Sequence, residues 1–297
     1  MKKLNGLLIG TIALLTSACS SSPVLLDSRT NEASSLITAL HAARSLTDAH
    51  DAEDILVVFD LDNTLLAMNT ELGSNQWYDW QKTLRDEQGC VDERVPELLK
   101  AQGAAYHAGS MRPTQPDAAA IVRQLQEEEF RVMILTARGL DFRLPTFREL
   151  RRNHLNFSRH AIPMDDDTHF SGLTYFPEAG KARAVLYEDG VFMVAGQHKG
   201  EMLKSLLQRL DWEWPEAVVM MDDSEKNIKH MESTLGLLGI PHRLYRYTKE
   251  DSRTENFNTD LAAQQWEQVA PALKTIEDVF GSVNFTMPSP YSDPACN

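Results

Sequence analysis

Short runs of apolar and β-branched residues recur along the chain, and segments with helical spacing separate them. The runs occupy residues 55–59, 132–135 and 217–221, and a more polar segment at residues 242–245 is predicted as a fourth strand. The segments that predict helices are residues 117–129, 144–154, 200–210 and 225–238. Continuous apolar runs of this length are typical of strands that are buried on both faces. Strands that alternate with helices therefore predict an α/β fold, a Rossmann-like parallel sheet flanked by helices.

Three further elements surround this alternation. A helix is predicted over residues 33–49, and a last helix over residues 261–280. A β-hairpin is predicted at residues 185–187 and 191–194, turned by Glu188-Asp189-Gly190.

The sequence has 297 residues and a formal net charge of −14. This length allows one large domain, or a core domain with a modest insertion. The negative charge disfavours nucleic-acid binding and adhesion to anionic membrane surfaces, because the averaged field repels phosphates. A small anionic substrate is compatible with this charge only where a local positive site offsets it.

The first 19 residues have the pattern of a secretory signal peptide. Two lysines precede an apolar run at residues 7–15, and small residues and Cys19 follow it. The run is shorter than the roughly 20 residues that a membrane-spanning helix needs. The segment resembles a bacterial lipoprotein signal, which implies a lipidated Cys19, and Ser20 then implies the outer membrane of a Gram-negative cell. We expect a lipid-anchored protein of the cell envelope, facing the periplasm, with residues 20–30 as a flexible tether; the alternative is a cleaved signal in which Cys19 is incidental.

The two remaining cysteines, Cys90 and Cys296, give no spacing pattern. In an exported chain they could form a disulfide, or Cys90 could be a free thiol. The sequence leaves both interpretations open.

Polar side chains follow three of the four predicted strands at the points where the strands end. They are Asp60, Asp62, Thr136, Arg138, Asp222 and Asp223. In open α/β sheets, ligands bind beyond the carboxyl ends of the strands, so groups that are far apart in sequence converge there. Each of these residue types also makes turns and helix caps, which is the simpler interpretation of any one of them. Several carboxylates so close together repel one another, however, and a Mg²⁺ ion with oxygen ligands would remove that repulsion.

Four segments, in the expected order between residues 55 and 227, resemble the motifs of the haloacid-dehalogenase (HAD) superfamily. The run Asp60-Leu61-Asp62-Asn63-Thr64 is similar to the first motif, Asp-x-Asp-x-Thr after an apolar strand. Thr136 at a strand end is similar to the second motif, and Lys199, followed by a glycine and a helix, to the third. Asp222-Asp223 is similar to the acidic fourth motif.

The resemblance implies a phosphoryl-transfer site with magnesium as its cofactor. Asp60 is the implied nucleophile, and Asp62 is the implied general acid for the leaving oxygen and then the general base for water. Thr136 and Lys199 are the implied phosphate-binding residues. The implied metal-binding residues are Asp60, Asp62 (through its backbone carbonyl), Asp222 and Asp223. Cations are needed at such a site, because a phosphate and a carboxylate roughly 4 Å apart repel by about 4 kcal/mol per unit-charge pair at an effective dielectric near 20.

Asp62 also limits the classes of reaction that the resemblance implies. An Asp at this second position is typical of superfamily members that are phosphatases or phosphomutases, whereas dehalogenases lack it. Export favours hydrolysis, so we predict a Mg²⁺-dependent phosphomonoester hydrolase that acts on a small phosphorylated substrate through an aspartyl-phosphate. The alternative is a catalytically silent, lipid-anchored binding or scaffold protein of HAD fold.

An insertion at residues 68–110 is predicted to form a mainly helical cap over the site, with a helix near residues 95–106. The predicted catalytic core is then residues 31–67 and 111–281, followed by an irregular tail at residues 282–297. The layout is also distantly similar to class C acid phosphatases, although the Asp222-Asp223-Ser224 run departs from the wider acidic spacing of that class.

Two candidate substrate contacts keep two interpretations each. Trp77 in the cap either stacks on the substrate or packs the cap onto the core. Arg138 either touches the substrate or pairs with a nearby carboxylate.

Overall fold

The computed structural model describes residues 28–84, 95, 97–164, 172–177 and 183–280. An eight-stranded sheet runs through these residues in the order β1-β10-β9-β2-β5-β8-β7-β6, and a separate pair is formed by β3 and β4. The strands are β1 (Arg29–Ala33), β2 (Ile55–Phe59), β3 (Leu66–Met68), β4 (Met111–Pro113), β5 (Arg131–Thr136), β6 (Leu173–Tyr175), β7 (Val185–Glu188), β8 (Val191–Met193), β9 (Ala217–Asp222) and β10 (His242–Tyr247). Strands β1, β10, β9, β2, β5 and β8 are parallel, and the β7–β8 hairpin adds the antiparallel edge.

Helices cover both faces of this sheet. They are α1 (Ile37–Leu46), α2 (Asn75–Thr83), α3 (Leu98–Ala108), α4 (Ala118–Glu127), α5 (Arg143–Arg152), α6 (Lys199–Arg209), α7 (Glu225–Leu238), α8 (Asp251–Glu255) and α9 (Thr259–Phe280). Alternate residues of the central strands enter different apolar clusters: Val57 packs with α1, α4 and α5, whereas Val58 packs with α6 and α7. The result is a sheet between two helical layers, which confirms the predicted Rossmann-like α/β fold.

Strand β2 lies at the point where the chain reverses its direction of travel across the sheet. From β2 the chain continues to β5 and β8 on one side, and then crosses to β9 and β10 on the other. The carboxyl ends of β2, β5 and β9 are therefore adjacent. A crevice at such a switch point is the usual ligand site of open α/β sheets.

The amino-terminal boundary differs from the prediction. Strand β1 begins at Arg29, inside the segment expected to be a tether, and the helix expected from residue 33 begins at Ile37. β1 pairs with β10 at the edge of the sheet, and four of its five residues are exposed. Backbone pairing stabilises such an edge strand, so the sequence carries no apolar alternation that would reveal it.

The insertion after β2 begins and ends at a small antiparallel pair. β3 and β4 pair with each other, and residues 69–110 between them carry α2 and α3. Helix α9 lies in the range predicted as core, and it packs against this insertion. A third apolar cluster joins Leu72, Trp77 and Ala101 of the insertion to Ala262 of α9. We call the described residues of 69–110, together with α9, the cap.

Two polar contacts reinforce the packing of α9 on the insertion. Lys100 of α3 forms ion pairs with Glu97 and with Glu277 of α9. The Gln265 side-chain oxygen accepts a hydrogen bond from the Leu72 amide at 2.9 Å. The cap is therefore built from two parts of the chain, which a boundary drawn at the insertion alone does not capture.

Several predictions fall outside the described residues. They are the signal peptide at residues 1–19 with Cys19, the tether up to residue 27, Cys90, Cys296, and the tail at residues 282–297. Among the helices that the structure describes, none combines the length and apolarity needed to cross a membrane.

Candidate active site

Three predicted residues meet at the carboxyl edge of the sheet. Asp60 directly follows β2, Asp222 ends β9, and Lys199 is the first residue of α6. The Lys199 Nζ donates hydrogen bonds to Asp60 Oδ1 at 2.5 Å and to Asp222 Oδ2 at 2.6 Å. All three residues are buried, so little water screens their charges.

Lys199 reaches this position because α6 approaches α7 very closely. Gly200 packs against α7 so tightly that a Cβ atom there would lie 2.3 Å from Thr234 Oγ1 and 2.6 Å from the His230 carbonyl oxygen. His198 Nδ1 accepts a hydrogen bond from the Glu201 amide and caps the same helix start. His198 is thus a capping residue, and the glycine after Lys199 has a steric role.

Asp60, Asp222 and Asp223 form an acidic cluster in which one side-chain oxygen from each lies within 4.8 Å of the others. Asp222 Oδ1 accepts hydrogen bonds from the Ser224 amide and from Asn227 Nδ2. Asp223 Oδ2 accepts one from Asn63 Nδ2 at 3.3 Å. Asp62, whose backbone carbonyl the family resemblance assigned to the metal, contributes no carboxylate to this cluster.

Among the described residues, the contacts of this cluster leave part of its negative charge unbalanced. The pKa of Asp60 is raised to about 7, because burial and the neighbouring Asp222 charge raise it more than Lys199 lowers it. Burial, together with Asp60 and Asp222, also raises the pKa of Asp223 well above its usual range. Burial lowers the pKa of Lys199, but Asp222 and Asp60 outweigh this and hold it above its ordinary value. The cluster favours additional positive charge.

This donor set fits a divalent cation. When the three carboxylates are ionised, Lys199 balances one of their negative charges and two remain. A doubly charged ion would bring the cluster to neutrality. Carboxylate oxygens are the ligands that Mg²⁺ prefers in proteins. Asp60, Asp222 and Asp223 are therefore the residues that could hold such an ion.

Asp62 pairs with Arg138. The Arg138 Nε and Nη2 atoms donate to the two oxygens of the Asp62 carboxylate, both at 2.8 Å. Its Nη1 donates to Thr146 Oγ1 at 2.9 Å, and the guanidinium lies 4.0 Å from the ring centroid of Tyr106. Burial lowers the pKa of Arg138, but Asp62 and Tyr106 outweigh it, so the pKa lies above its ordinary value. Of the two interpretations of Arg138, the structure shows pairing with a carboxylate.

Thr136, at the end of β5, and Thr64, in the loop after β2, are both buried. Thr136 Oγ1 accepts a hydrogen bond from the Arg138 amide at 3.1 Å, which leaves its hydroxyl proton available to a ligand. Thr64 Oγ1 accepts one from the Asp223 amide at 3.0 Å, and its carbonyl accepts one from Thr114 Oγ1. Thr64 therefore fixes the loop after β2 to the loop after β9.

Trp77 does not face this site. It is fully buried in the cap, and its ring lies 6.2 Å from that of Trp266 on α9. Of the two interpretations of Trp77 the structure thus favours packing, with the correction that its partner is α9. The neighbouring residue, Gln76, reaches the site instead: its Nε2 donates to Asn63 Oδ1 at 3.3 Å and to Thr254 Oγ1 at 3.0 Å.

Sequence analysis missed Gln76 and Tyr106. Both belong to the cap, and both touch residues next to the acidic cluster only because the insertion folds back onto the sheet. Adjacent helical residues point about 100° apart, and nothing in the Gln76-Trp77 pair indicates which of the two faces the site.

The fold and the site define a class of proteins: parallel α/β domains with a buried acidic and lysine centre at the switch point and a cap inserted after the first central strand. Within that class, the chain belongs to the family described as "Protein of unknown function (DUF2608)", whose model matches residues 35–277. The chain is also similar to a protein of Chlamydia muridarum (strain MoPn / Nigg) named "Putative outer membrane protein". The two are 19% identical over 218 residues, which is 73% of this chain and 78% of the relative.

Proposed function

We propose that the protein is a Mg²⁺-dependent phosphomonoester hydrolase of HAD type, which works through an aspartyl-phosphate on Asp60. The observation that carries this proposal is the buried contact of the Lys199 ammonium with both Asp60 and Asp222. It supplies a cation next to a carboxylate that can attack phosphorus. The neighbouring Asp62 and Thr136 complete the set of groups that the chemistry needs.

In the first step an Asp60 oxygen forms a bond to phosphorus, and the bond from phosphorus to the leaving oxygen breaks. Lys199 offsets the repulsion between the attacking carboxylate and the phosphate. The Thr136 hydroxyl, whose oxygen accepts a hydrogen bond from the Arg138 amide, would donate a hydrogen bond to a phosphoryl oxygen. Asp62 provides a proton to the leaving oxygen.

In the second step water hydrolyses the aspartyl-phosphate. Asp62, now ionised, takes a proton from the water as it attacks phosphorus, and Asp60 leaves as a carboxylate. Asp60, Asp222 and Asp223 would hold Mg²⁺, which supplies positive charge to the phosphoryl oxygens when bound. The proposed substrate is a small phosphorylated molecule, and its phosphate must reach a carboxylate whose exposed fraction is only 5%.

The same proposal places the protein in the bacterial cell envelope, anchored by a lipid at Cys19 and facing the periplasm. Two observations support this. The sequence before Cys19 resembles a lipoprotein signal, and the chlamydial relative is named "Putative outer membrane protein". The wild type should incorporate labelled palmitate and a Cys19→Ser variant should not; a wild type that incorporates no label would exclude the anchor.

A second candidate function is a catalytically silent binding or scaffold protein. It is favoured by one observation: both oxygens of the Asp62 carboxylate are occupied by Arg138. A group held in this way must still exchange protons with substrate and water if the protein is an enzyme.

Phosphate release by the purified protein distinguishes these two functions. With p-nitrophenyl phosphate, the enzyme hypothesis predicts release that requires Mg²⁺, stops on chelation, and is abolished in Asp60→Asn. The matched control is Asp48→Asn. Asp48 is exposed in the turn after α1, so this variant should keep full activity. Turnover that persists in Asp60→Asn excludes the aspartyl-phosphate mechanism, and a folded protein with no turnover of any phosphomonoester favours the silent function.

A further inference from the structure

Arg138 is held on every side between the core and the cap. Besides the two bonds to Asp62, its guanidinium donates to Thr146 Oγ1 of α5 and contacts the Met111 sulfur of β4 at 3.2 Å. Its exposed fraction is 5%. A side chain with so many fixed contacts has little freedom to move, so it imposes its own orientation on the carboxylate that it binds.

The contact with Asp62 is a fork-to-fork pair. Two parallel N–H groups meet two carboxylate oxygens at equal distances of 2.8 Å. Such a pair fixes the plane of the carboxylate as well as its position. A lysine in place of Arg138 would supply charge without this planar constraint.

The backbone of Arg138 is fixed as firmly as its side chain. Its amide donates to Thr136 Oγ1, and its carbonyl accepts from the Ala195 amide at 3.0 Å. The orientation of Asp62 is therefore tied to the end of β5, the strand that also carries Thr136. The Arg138 side chain thus joins the loop that carries Asp60 and Asp62 to the strand that carries Thr136.

The cap contributes the remaining face of the Arg138 environment. Tyr106 of α3 lies with its ring 4.0 Å from the guanidinium, a cation–π contact. The ring is itself held edge-on by Phe142 at 5.5 Å, and its hydroxyl donates to Asn75 Oδ1 of α2. Both cap helices thus determine where the Tyr106 ring lies.

We propose that Arg138 is a positioning residue that orients the Asp62 carboxylate for proton transfer, and that Tyr106 is the part of the cap that holds Arg138 in place. This inference rests on the proposed phosphatase function and adds a residue and a cap contact to it. The competing explanation is a salt bridge that contributes only to folding, as many buried pairs do.

A double-mutant cycle separates the two explanations. The variants are Arg138→Met, Asp62→Asn and the double variant, each assayed as the full chain with Mg²⁺ and p-nitrophenyl phosphate. If Arg138 acts through Asp62, Arg138→Met lowers kcat by about 100-fold, the effect of misplacing a reacting group by roughly 1 Å, with little change in KM. In the Asp62→Asn background the same substitution then has no further effect on kcat.

Three further measurements sharpen this test. The loss in Arg138→Met should be greater for an alkyl phosphate than for p-nitrophenyl phosphate, because only the alkyl leaving oxygen needs a proton. Arg138→Lys should recover part of kcat. Tyr106→Leu, which removes the ring over Arg138, should lower kcat in the same Asp62-dependent way.

Each outcome supports or overturns the inference. Losses in kcat that multiply in the double variant, or a change confined to KM, overturn the positioning role while the phosphatase function stands. If Arg138→Met does not fold, as a thermal melt will show, Arg138→Lys and Tyr106→Leu carry the same cycle with Asp62→Asn. Absence of phosphate release from the wild-type protein overturns the phosphatase function and this inference together.

Discussion

The Lys199 ammonium lies 2.5 Å from the Asp60 carboxylate, although 139 residues separate the two in sequence. Neither group would be stable alone at this depth, because burial of an unpaired charge carries a large desolvation penalty. Their contact links the start of α6 to the end of β2. It also makes the geometry of the candidate site dependent on how closely α6 packs against α7.

Gly200→Ala should therefore disturb the site. The added methyl group would overlap Thr234 Oγ1 and the His230 carbonyl, so α6 must shift and carry Lys199 with it. We expect a loss of about 1–3 kcal/mol in the free energy of unfolding, as for other overpacked positions, and a loss of phosphate release.

Gly236→Ala is the matched control for that substitution. Gly236 lies in α7, and a Cβ there would meet no atom within 4 Å. The change should raise the stability of the protein by about 0.4–1 kcal/mol, because alanine favours the helix and restricts the unfolded chain. Urea denaturation measures both variants, and equal effects at the two glycines would contradict the steric role of Gly200.

Lys199→Met should destabilise the metal-free protein strongly. It removes the cation that contacts Asp60 and Asp222 and leaves their buried carboxylates without a partner. Removal of one member of a buried ion pair typically costs about 3–5 kcal/mol. Lys204→Met in the same helix is the control: Lys204 is half-buried and its ammonium lies 3.8 Å from the Glu201 carboxylate, so the change should stay within about 0.5 kcal/mol. A Lys199→Met protein as stable as Lys204→Met would contradict the charge balance described for the site.

The pH dependence of stability follows from Asp60. Its folded-state pKa is about 7, above the value of 3.8 for a free aspartate, because burial disfavours its charge. The folded protein therefore holds the proton more tightly than the unfolded chain does. The contribution of Asp60 to stability is fully present below about pH 3.8 and is lost as the pH rises through about 7.

Melting temperatures at pH 5 and pH 8 in the presence of a chelator test this dependence. The chelated protein should melt lower at pH 8, and Asp60→Asn should show a weaker slope. Mg²⁺ should raise the melting temperature more at pH 8 than at pH 5, because protons compete for the same carboxylates. A saturating ion, at about 100 times its Kd, would add about 2.7 kcal/mol. An equal response to Mg²⁺ in wild type and Asp60→Asn would contradict Asp60 as a ligand.

The strand ends of the site could be predicted from the sequence because apolar runs mark the buried strands. Asp60 and Asp222 follow such runs, and the parallel topology that the alternating helices predict then brings them together. Lys199 carried no comparable local signal; its assignment came from the order of motifs in the family that the chain resembles. The fold was thus accessible from periodicity, and part of the site from topology.

The remaining features depend on contacts that no local pattern encodes. β1 is a polar edge strand stabilised by its pairing with β10. The position of α9 on the cap depends on the Trp77–Trp266 contact. For Arg138, the sequence left open whether the side chain contacts the substrate or a carboxylate. In the folded protein, its contacts with Thr146 and Tyr106 direct it to Asp62.

The last prediction concerns two neighbours in α2 that should behave in opposite ways. Trp77→Ala removes a fully buried ring from the cluster that joins the insertion to α9, and a substitution of this kind typically costs about 3–5 kcal/mol. Its folded fraction should keep the KM of the wild type, because Trp77 lies away from the acidic cluster. Gln76→Ala removes hydrogen bonds to Asn63 and Thr254, each worth about 1 kcal/mol, so its effect on stability should be smaller. Since Asn63 in turn contacts Asp223, Gln76→Ala should instead change the kinetic constants or the Mg²⁺ dependence. Urea denaturation measures the stability of both variants, and steady-state kinetics measures their kcat and KM. A raised KM in folded Trp77→Ala would support the interpretation of Trp77 as a substrate contact.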